Sequence, residues 1–446
     1  MKMKKILVIG AGRSAVTLIK YLLDNAKVNN WFVRVADFSL ELAEEAVHNH
    51  DYGKAIFFNV TDKNQRESEI YNADIVISML PATLHIPVAK DCIQFKTNLV
   101  TASYVSEEIA ALDEKAKNAG ILLLNEIGLD PGIDHMSAMH LIDEIKDNGG
   151  EITSFKSYCG GLVHPDFDNN PWDYKFTWNP RNVVLAGQGN AKFLENGKEK
   201  TIAYSDLFTK TEQITILEAG AFEGYANRNS LSYKKEYGLE NISTLFRGTL
   251  RKIGYCNAWN IFVQLGMTDD SYKLENSENI RNRELVNKLL PYDDELSVEE
   301  KLCKKFNIRI DGMIFKKLEW LDLFSDKKVG MKDASPAQML QEILEKKWKL
   351  GVVDKDMIVM QHQFEYLQNG NKKKLNSSLI VFGEDPRYTA MAKTVGLPVA
   401  VATKLILNGA IQSTGVKIPT VKDIYVPVLE ELKEHGINFL EEELNV

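Results

Sequence analysis

Apolar and polar positions along the chain alternate between strand and helix patterns. "KKILVIG" is continuously apolar and β-branched, as in a strand buried on both faces, and past Gly10 the chain turns to the helix-period "VTLIKYLL". "WFVRVAD", "ADIVISMLP", "TNLVTASY" and "ILLLNEI" read as further strands, with helices in "ATLHIPVAKDCIQF" and "SEEIAALDEKAKNAG". Such alternation predicts an α/β fold built on a doubly wound parallel sheet. Beyond it, "EITSFKSYCGG", "KFTWNP", "NAKFLENGKEKTIAYS" and "MIVMQHQFEYLQNGNKKKLNSSLIVFG" predict the strands of a mixed sheet, with Asn369-Gly370 as a hairpin turn. Charged helical patterns fill about 270–350, and the apolar "DPRYTAMAKTVGLPVAVATKLILNGAI" predicts a late helix buried against the first sheet.

The length of 446 residues suggests two or three domains at about 150 residues each. A net charge of -8 offers no broad positive field, which argues against nucleic acid or an anionic membrane as partner and for a small-molecule substrate. Cys92, Cys159, Cys256 and Cys303 are scattered without a CxxC pair, so a reducing cytoplasm is expected rather than disulfides or a zinc cluster. No run approaches the roughly 18 uncharged apolar residues of a membrane span, and "LPVAVATKLILNGA" carries Lys404, so no membrane association is expected.

Chemistry enters at the first turn. Gly10, Ala11, Gly12, Arg13, Ser14 and Ala15 join strand to helix: Gly10 permits the tight turn, Gly12 lets backbone approach a pyrophosphate, and Ala15 keeps helix and sheet close. This is the glycine turn of a Rossmann-type sheet. Asp37, ending the second strand 25 residues past Gly12, is placed to accept from an adenosine ribose. A carboxylate there would repel a 2′-phosphate, and Phe38 and Ser39 offer no arginine to hold one, so NAD is expected over NADP. Ligands of such sheets lie past the strands' carboxyl ends, which singles out 78–81, 101–104 and the stretch after "ILLLNEI".

That stretch, "NEIGLDPGIDHMSAMHLID", is rich in acids and holds two histidines. Pro131 and Gly132 break it into a loop and a helix beginning near Asp134, a good N-cap, with His140 and Asp143 inside the helix. His135 and His140 read as histidines hydrogen-bonded at a helix edge. No HExxH-type pair is present, and no metal is expected. Asp130, on the loop at the strand's carboxyl end, is the acid expected to be functional.

"GAGR", "TASYVS", "NEIGLDPGIDHM", "SYCGG", "NPWDYKFTWNPRNVVLA", "NRNSLSYK", "FRGTLR" and "GLPVAVATKLILNGAI" together resemble glutamate-forming saccharopine dehydrogenases, also called saccharopine reductases, over nearly the whole chain. The resemblance implies a cytoplasmic enzyme, usually a homodimer, that interconverts saccharopine with glutamate and 2-aminoadipate 6-semialdehyde using a nicotinamide cofactor. It implies a dinucleotide-binding domain over 1–128 and 391–446, interrupted over 129–390 by an α+β substrate-binding and dimerisation domain with a helical insertion near 270–350. Carried over residue by residue, substrate contacts fall on Ser103, Asp130, Arg228, Thr249, Leu250 and Arg251. Cofactor contacts fall on Gly10, Ala11, Gly12, Arg13, Asp37, Ser78, Thr101, Leu129, Asp130, Pro131 and Trp178. Asp37-Phe38 departs from the arginine of NADPH-linked members and looks like the NAD-linked, lysine-degrading ones.

Saccharopine carries three carboxylates around a secondary amine, which calls for fixed guanidinium groups. Arg228 and Arg251 lie in the matching motifs; Arg247 reads equally well as a surface residue. The amine must be neutral when hydride leaves, so a base is needed, and Asp130 is the first candidate, with lesser roles for Cys159 and a positioning role for His85. Tyr104 reads as packing more than as chemistry. The alternatives are an NADPH-linked saccharopine reductase, a dehydrogenase of carboxynorspermidine-type polyamine conjugates, which would want acids where Arg228 and Arg251 stand, and a non-catalytic NAD-binding regulator.

Overall fold

The computed structural model describes residues 2–444; Met1, Asn445 and Val446, at the outer ends of the expected nucleotide domain, lie outside the described residues. The chain forms two compact units. The first runs through Ile152 and takes back Leu367–Asn371 and Leu379–Leu440, while the second is built from Thr153–Tyr366, Lys372–Ser378 and the residues from Glu441.

In the first unit the apolar runs become strands β1 (Lys4–Ile9), β2 (Trp31–Asp37), β3 (Gly53–Phe57), β4 (Ile75–Ser78), β5 (Asn98–Val100) and β6 (Leu122–Leu124). With the late strand Gly415–Lys417 they make a seven-stranded sheet, ordered Gly415–Lys417, β6, β5, β4, β1, β2, β3, with every pairing parallel. Ile6, Leu7, Val8, Ile9, Val76 and Ile77 are fully buried, as both-face apolar strands require. β1 and β4 are neighbours, β2 and β3 extend one way and β5 and β6 the other, so the winding reverses between β1 and β4. The doubly wound expectation is met. The edge strand β3 was not foreseen, because "GKAIF" is half-exposed and lacks an apolar run. "SEEIAALDEKAKNAG" makes two helices, Glu107–Ala110 and Asp113–Ala119, instead of one.

The late apolar segment forms the helix Ala390–Leu407, long and apolar enough by composition to cross a membrane; 72% of it is buried, in packing against the helix Val16–Asp24 and the strands β4 and β5. The contact with Val16–Asp24 passes through Gly396, where a Cβ would lie 2.9 Å from the backbone nitrogen of Leu18.

The second unit carries a mixed sheet. Its strands are β7 (Glu151–Val163), β8 (Ala191–Glu195), β9 (Lys198–Ile202), β10 (Thr211–Ile216), β11 (Gly220–Ala226), β12 (Thr244–Lys252), β13 (Asp356–Gln368) and β14 (Asn371–Phe382). The order is β10, β11, β12, β7, β13, β14 and the last strand Leu440–Leu444, with the β8–β9 hairpin set against β12. β10, β11 and β12 pair antiparallel, but β12 and β7 pair parallel. The β13–β14 turn is Asn369-Gly370 with φ of +52° and +79°, the left-handed pair a two-residue hairpin requires. Helices Asn282–Leu289, Val298–Phe306, Met313–Trp320 and Pro336–Lys347 fill the charged region.

"KFTWNP" is not a strand. Phe176 makes one isolated bridge to Lys349, and Asn179 caps a short helix, Pro180–Val184. Its Phe176, with Trp172 and Tyr174 just before it, packs edge-on against Trp348 in an aromatic cluster in which Tyr255 stacks on Trp259.

The contact at Gly396 gives a stability prediction. Gly396→Val places a branched side chain against immobile backbone and should cost about 1–3 kcal/mol. Thermal unfolding should show a loss of several degrees; an unchanged midpoint would mean the two helices are free to part.

Candidate functional site

Each unit contributes chemistry of its own. In the first, the reversal point between β1 and β4 is where the glycine turn sits. Gly10 has φ +104°, and a Cβ there would lie 2.9 Å from the carbonyl oxygen of Met79, so only glycine fits. Around Gly12 the opposite holds: a Cβ would meet nothing within 4 Å, leaving backbone open to an approaching pyrophosphate. Gly12 caps the turn Arg13–Ala15 with no side-chain hydrogen bond, and Ala15 is buried against the sheet. The turn therefore fits a dinucleotide.

Asp37 ends β2 as expected, but its carboxylate is engaged within the protein. Oδ2 accepts from the N–H of Ala11 at 2.7 Å and Oδ1 from the N–H of Ser39 at 2.8 Å. The acid thus braces the glycine turn against the start of the helix Leu40–Val47.

At the ends of β4 and β5 the side chains form a chain of hydrogen bonds. Ser78 Oγ lies 2.8 Å from His85 Nδ1, and His85 Nε2 lies 2.7 Å from Ser103 Oγ. Burial pushes the His85 imidazole down to about 4. Thr101, buried just past β5, accepts from the N–H of Ser103 at 3.3 Å.

The acid-rich stretch divides. Glu126, 4% exposed and in the left-handed region at φ +55°, accepts from the N–H of Val105 at 2.9 Å and donates its own N–H to the Ser103 carbonyl at 3.0 Å. Its second oxygen lies 2.9 Å from His135 Nε2. His135 is fully buried, not at a helix edge, whereas His140 is exposed. The helix Ile133–Asp147 starts at Gly132, and Asp134 accepts the Gly132 N–H at 2.6 Å. Glu126, His135 and Asp134 thus form a buried brace. Leu129 and Pro131 are buried and Asp130 is half-exposed, with the Tyr104 hydroxyl 3.5 Å from its Oδ1. Among the described residues no group of three or more His, Cys, Asp or Glu is placed to hold a metal ion.

In the second unit, strand register assembles the residues. Tyr225 of β11 pairs with Thr249 of β12, which pairs with Cys159 of β7, so the three share one face. Arg247 and Arg251, two residues to either side of Thr249, share it too. Leu250 points to the other face and is buried, and a Cβ at Gly160 would clash with its own at 2.8 Å.

Arg251 is 5% exposed. Its Nη1 donates to the Leu250 carbonyl at 2.9 Å, and its guanidinium lies 5.1 Å from the Tyr174 ring centre and 5.4 Å from that of Tyr255. The cross-strand neighbour that would neutralise it, Glu223, instead accepts from the N–H groups of Gly254 at 2.5 Å and Cys256 at 2.9 Å, at the start of the helix Tyr255–Leu265. No carboxylate among the described residues lies within ion-pair distance of Arg251, and its Nε is buried without a hydrogen-bond partner. Tyr174 Oη, Thr177 Oγ1 and Trp348 Nε1 are buried and unpaired as well. Burial pushes the Tyr225 phenol up to about 12 and raises those of Tyr174 and Tyr255, so these hydroxyls stay neutral donors. A buried cation beside the ring of Tyr174, whose hydroxyl is unpaired, is the complement of a carboxylate.

Arg228 is exposed at φ +52°, its carbonyl accepting from the Lys192 N–H at 2.8 Å. Arg247, open on sequence grounds, is 3% exposed and lies 4.6 Å from the Tyr233 ring centre. Cys159 is buried and Trp178 half-buried. Sequence reasoning missed Glu126, Glu223, Tyr174, Tyr225, Tyr255 and Trp348. Glu126, inside "NEIGLDPGIDHM", and Tyr174, inside "NPWDYKFTWNP", carried a signal.

Two family models match the chain, and the second takes in parts of both units. Residues 6–124 match the family model described as the saccharopine dehydrogenase NADP binding domain, and residues 128–437 match the saccharopine dehydrogenase C-terminal domain. The saccharopine dehydrogenase [NADP(+), L-glutamate-forming] of Schizosaccharomyces pombe is 36% identical over 453 residues, covering 99% of both chains. The mitochondrial alpha-aminoadipic semialdehyde synthase of Rattus norvegicus is 36% identical over 458 residues, and there this chain spans about half of the relative, 47%. The apo structure of the L-Glu-forming saccharopine dehydrogenase from Saccharomyces cerevisiae superposes with a TM-score of 0.89 at 34% identity, over 99% of this chain and 100% of that one.

These findings overturn the expectation of NAD. The matched nucleotide domain is an NADP binding domain, and the full-length fungal relatives are named for NADP+. The physical reason is that Asp37 was read as a free carboxylate facing a ribose, but both its oxygens are held by backbone N–H groups.

Two measurements follow. Asp37→Ala should weaken NADP+ and NAD+ in parallel, because it loosens the turn that holds either; dissociation constants that move apart would restore a discriminating role. Arg251→Met should leave thermal stability of the ligand-free protein unchanged or higher, since an uncompensated buried charge is replaced by apolar volume. A fall of several degrees would mean that Arg251 is already neutralised.

Proposed function

Because the chain belongs to the saccharopine dehydrogenase family, we propose that it is an NADP-linked oxidoreductase that interconverts saccharopine with L-glutamate and 2-aminoadipate 6-semialdehyde. The observation that carries this reading is Arg251, a buried guanidinium whose Nε is unpaired, beside the ring of Tyr174, with no carboxylate among the described residues within ion-pair distance. A substrate with several carboxylates supplies the missing counter-charge. A polyamine conjugate would bring ammonium groups to a site already holding a cation, which disfavours that alternative.

Gly10 and Gly12 would hold the pyrophosphate at the reversal of the first sheet, with the N–H groups of the following turn facing it. Bound NADP+ supplies a hydride acceptor for the carbon beside the secondary amine, giving an imine that water hydrolyses to the amino acid and the aldehyde. Asp130, half-exposed on its loop, takes the amine proton so that the nitrogen lone pair is available as hydride departs. Ser103 and Thr249 orient polar groups of the substrate, and Arg251 with its neutral phenols fixes a carboxylate.

The test is the purified protein with saccharopine and NADP+, followed by absorbance of the reduced nicotinamide. Cofactor reduction is expected, and in Arg251→Met the KM for saccharopine should rise roughly 10- to 100-fold, the range for a lost hydrogen bond to a charged group, with NADP+ affinity retained. No reduction by the unaltered protein would leave a non-catalytic nucleotide-binding role ahead.

A further inference from the structure

His85 is held at both ring nitrogens, to Ser78 at 2.8 Å and to Ser103 at 2.7 Å. It is the first residue of the helix His85–Phe95 and is 3% exposed, while Ser78, at the end of β4, is fully buried. Of the three, only Ser103 reaches partly into solvent.

The backbone of Ser103 is fixed independently: its N–H donates to Thr101 Oγ1 at 3.3 Å and its carbonyl accepts from the Glu126 N–H at 3.0 Å. What remains to be set is the direction of its hydroxyl, and His85 is the group in contact with it. The imidazole is a poor store for a proton taken from an amine, because burial holds it neutral above a pH of about 4. A neutral ring has one donating and one accepting nitrogen, so the chain from Ser78 through His85 to Ser103 has a direction. In either direction the Ser103 hydroxyl has one bond committed to the ring and its remaining capacity turned outward.

We infer that His85 is a positioning residue: clamped by Ser78, it aims the Ser103 hydroxyl at a polar group of the substrate. The inference rests on the reading of Ser103 as a saccharopine contact. It assigns His85 no part in proton transfer.

The experiment compares His85→Gln, His85→Asn, His85→Phe, Ser103→Ala and the double variant of the last two. Glutamine can place its amide near Nε2 and keep the bond to Ser103; asparagine reaches only the Nδ1 position and keeps the bond to Ser78. His85→Gln should therefore retain most of the kcat/KM for saccharopine. His85→Asn and His85→Phe should lose about tenfold, chiefly in KM, the size of one buried hydrogen bond. NADP+ dissociation constants should stay within about twofold, given that the substrate-side hydroxyl is what changes. The double variant should be no worse than Ser103→Ala, because the two residues act as one. Additive losses in the double variant, or equal activity of His85→Gln and His85→Asn, overturn the inference. Should His85→Phe fail to fold, the Gln and Asn variants, which each keep one bond, decide alone. An unaltered protein that cannot reduce NADP+ with saccharopine overturns the proposed function and this inference together; an active parent with an additive cycle overturns only the inference.

Discussion

The cost of burying a charge organises the second unit. Arg251 sits among aromatic rings with no carboxylate beside it among the described residues, a placement that disfavours folding unless something compensates. Partial compensation comes from the ring faces of Tyr174 and Tyr255 and from the Leu250 carbonyl. The proposed substrate carboxylate would supply the rest. Glu223 does not supply it: opposite Arg251 in the sheet, it is held by N–H groups at a helix start and does not neutralise the guanidinium. The polar face of Tyr225, Thr249, Cys159 and Arg251 then follows from strand register alone.

The first unit solves a different problem, presenting unprotected backbone to a phosphate without losing the turn that presents it. Gly10 meets the Met79 carbonyl on one side, Gly12 faces open space on the other, and Asp37 ties Ala11 to the next strand's end. Glu126 plays the same part nearby, binding Val105, Ser103 and His135 from a backbone conformation that costs about 1 kcal/mol or more for a residue other than glycine. Asp37, read from the sequence as a ribose acceptor, and Glu126, given no role there, are thus braces, and the acid left half-exposed is Asp130.

What could be read from the sequence was what depends on near neighbours. "KKILVIGAGR" encodes strand, turn and helix start within a few residues, and Asn369-Gly370 encodes its own hairpin. "KFTWNP" misled because its Phe176 is buried against Trp348, remote in the chain. Asp37 misled on the cofactor because a carboxylate's position is visible in sequence while its partners, Ala11 and Ser39, are not. The isolation of Arg251 was equally hidden, since it depends on where Glu223 is engaged.

The strand Gly415–Lys417 closes the free edge of β6, and Ala390–Leu407 covers the helix Val16–Asp24. Both come from the last quarter of the chain, so during synthesis the nucleotide unit leaves the ribosome with one sheet edge bare and an apolar flank uncovered until more than 250 further residues have followed it. Its completion is therefore a late event, and nascent chains stalled before residue 390 would be natural clients for a holding chaperone.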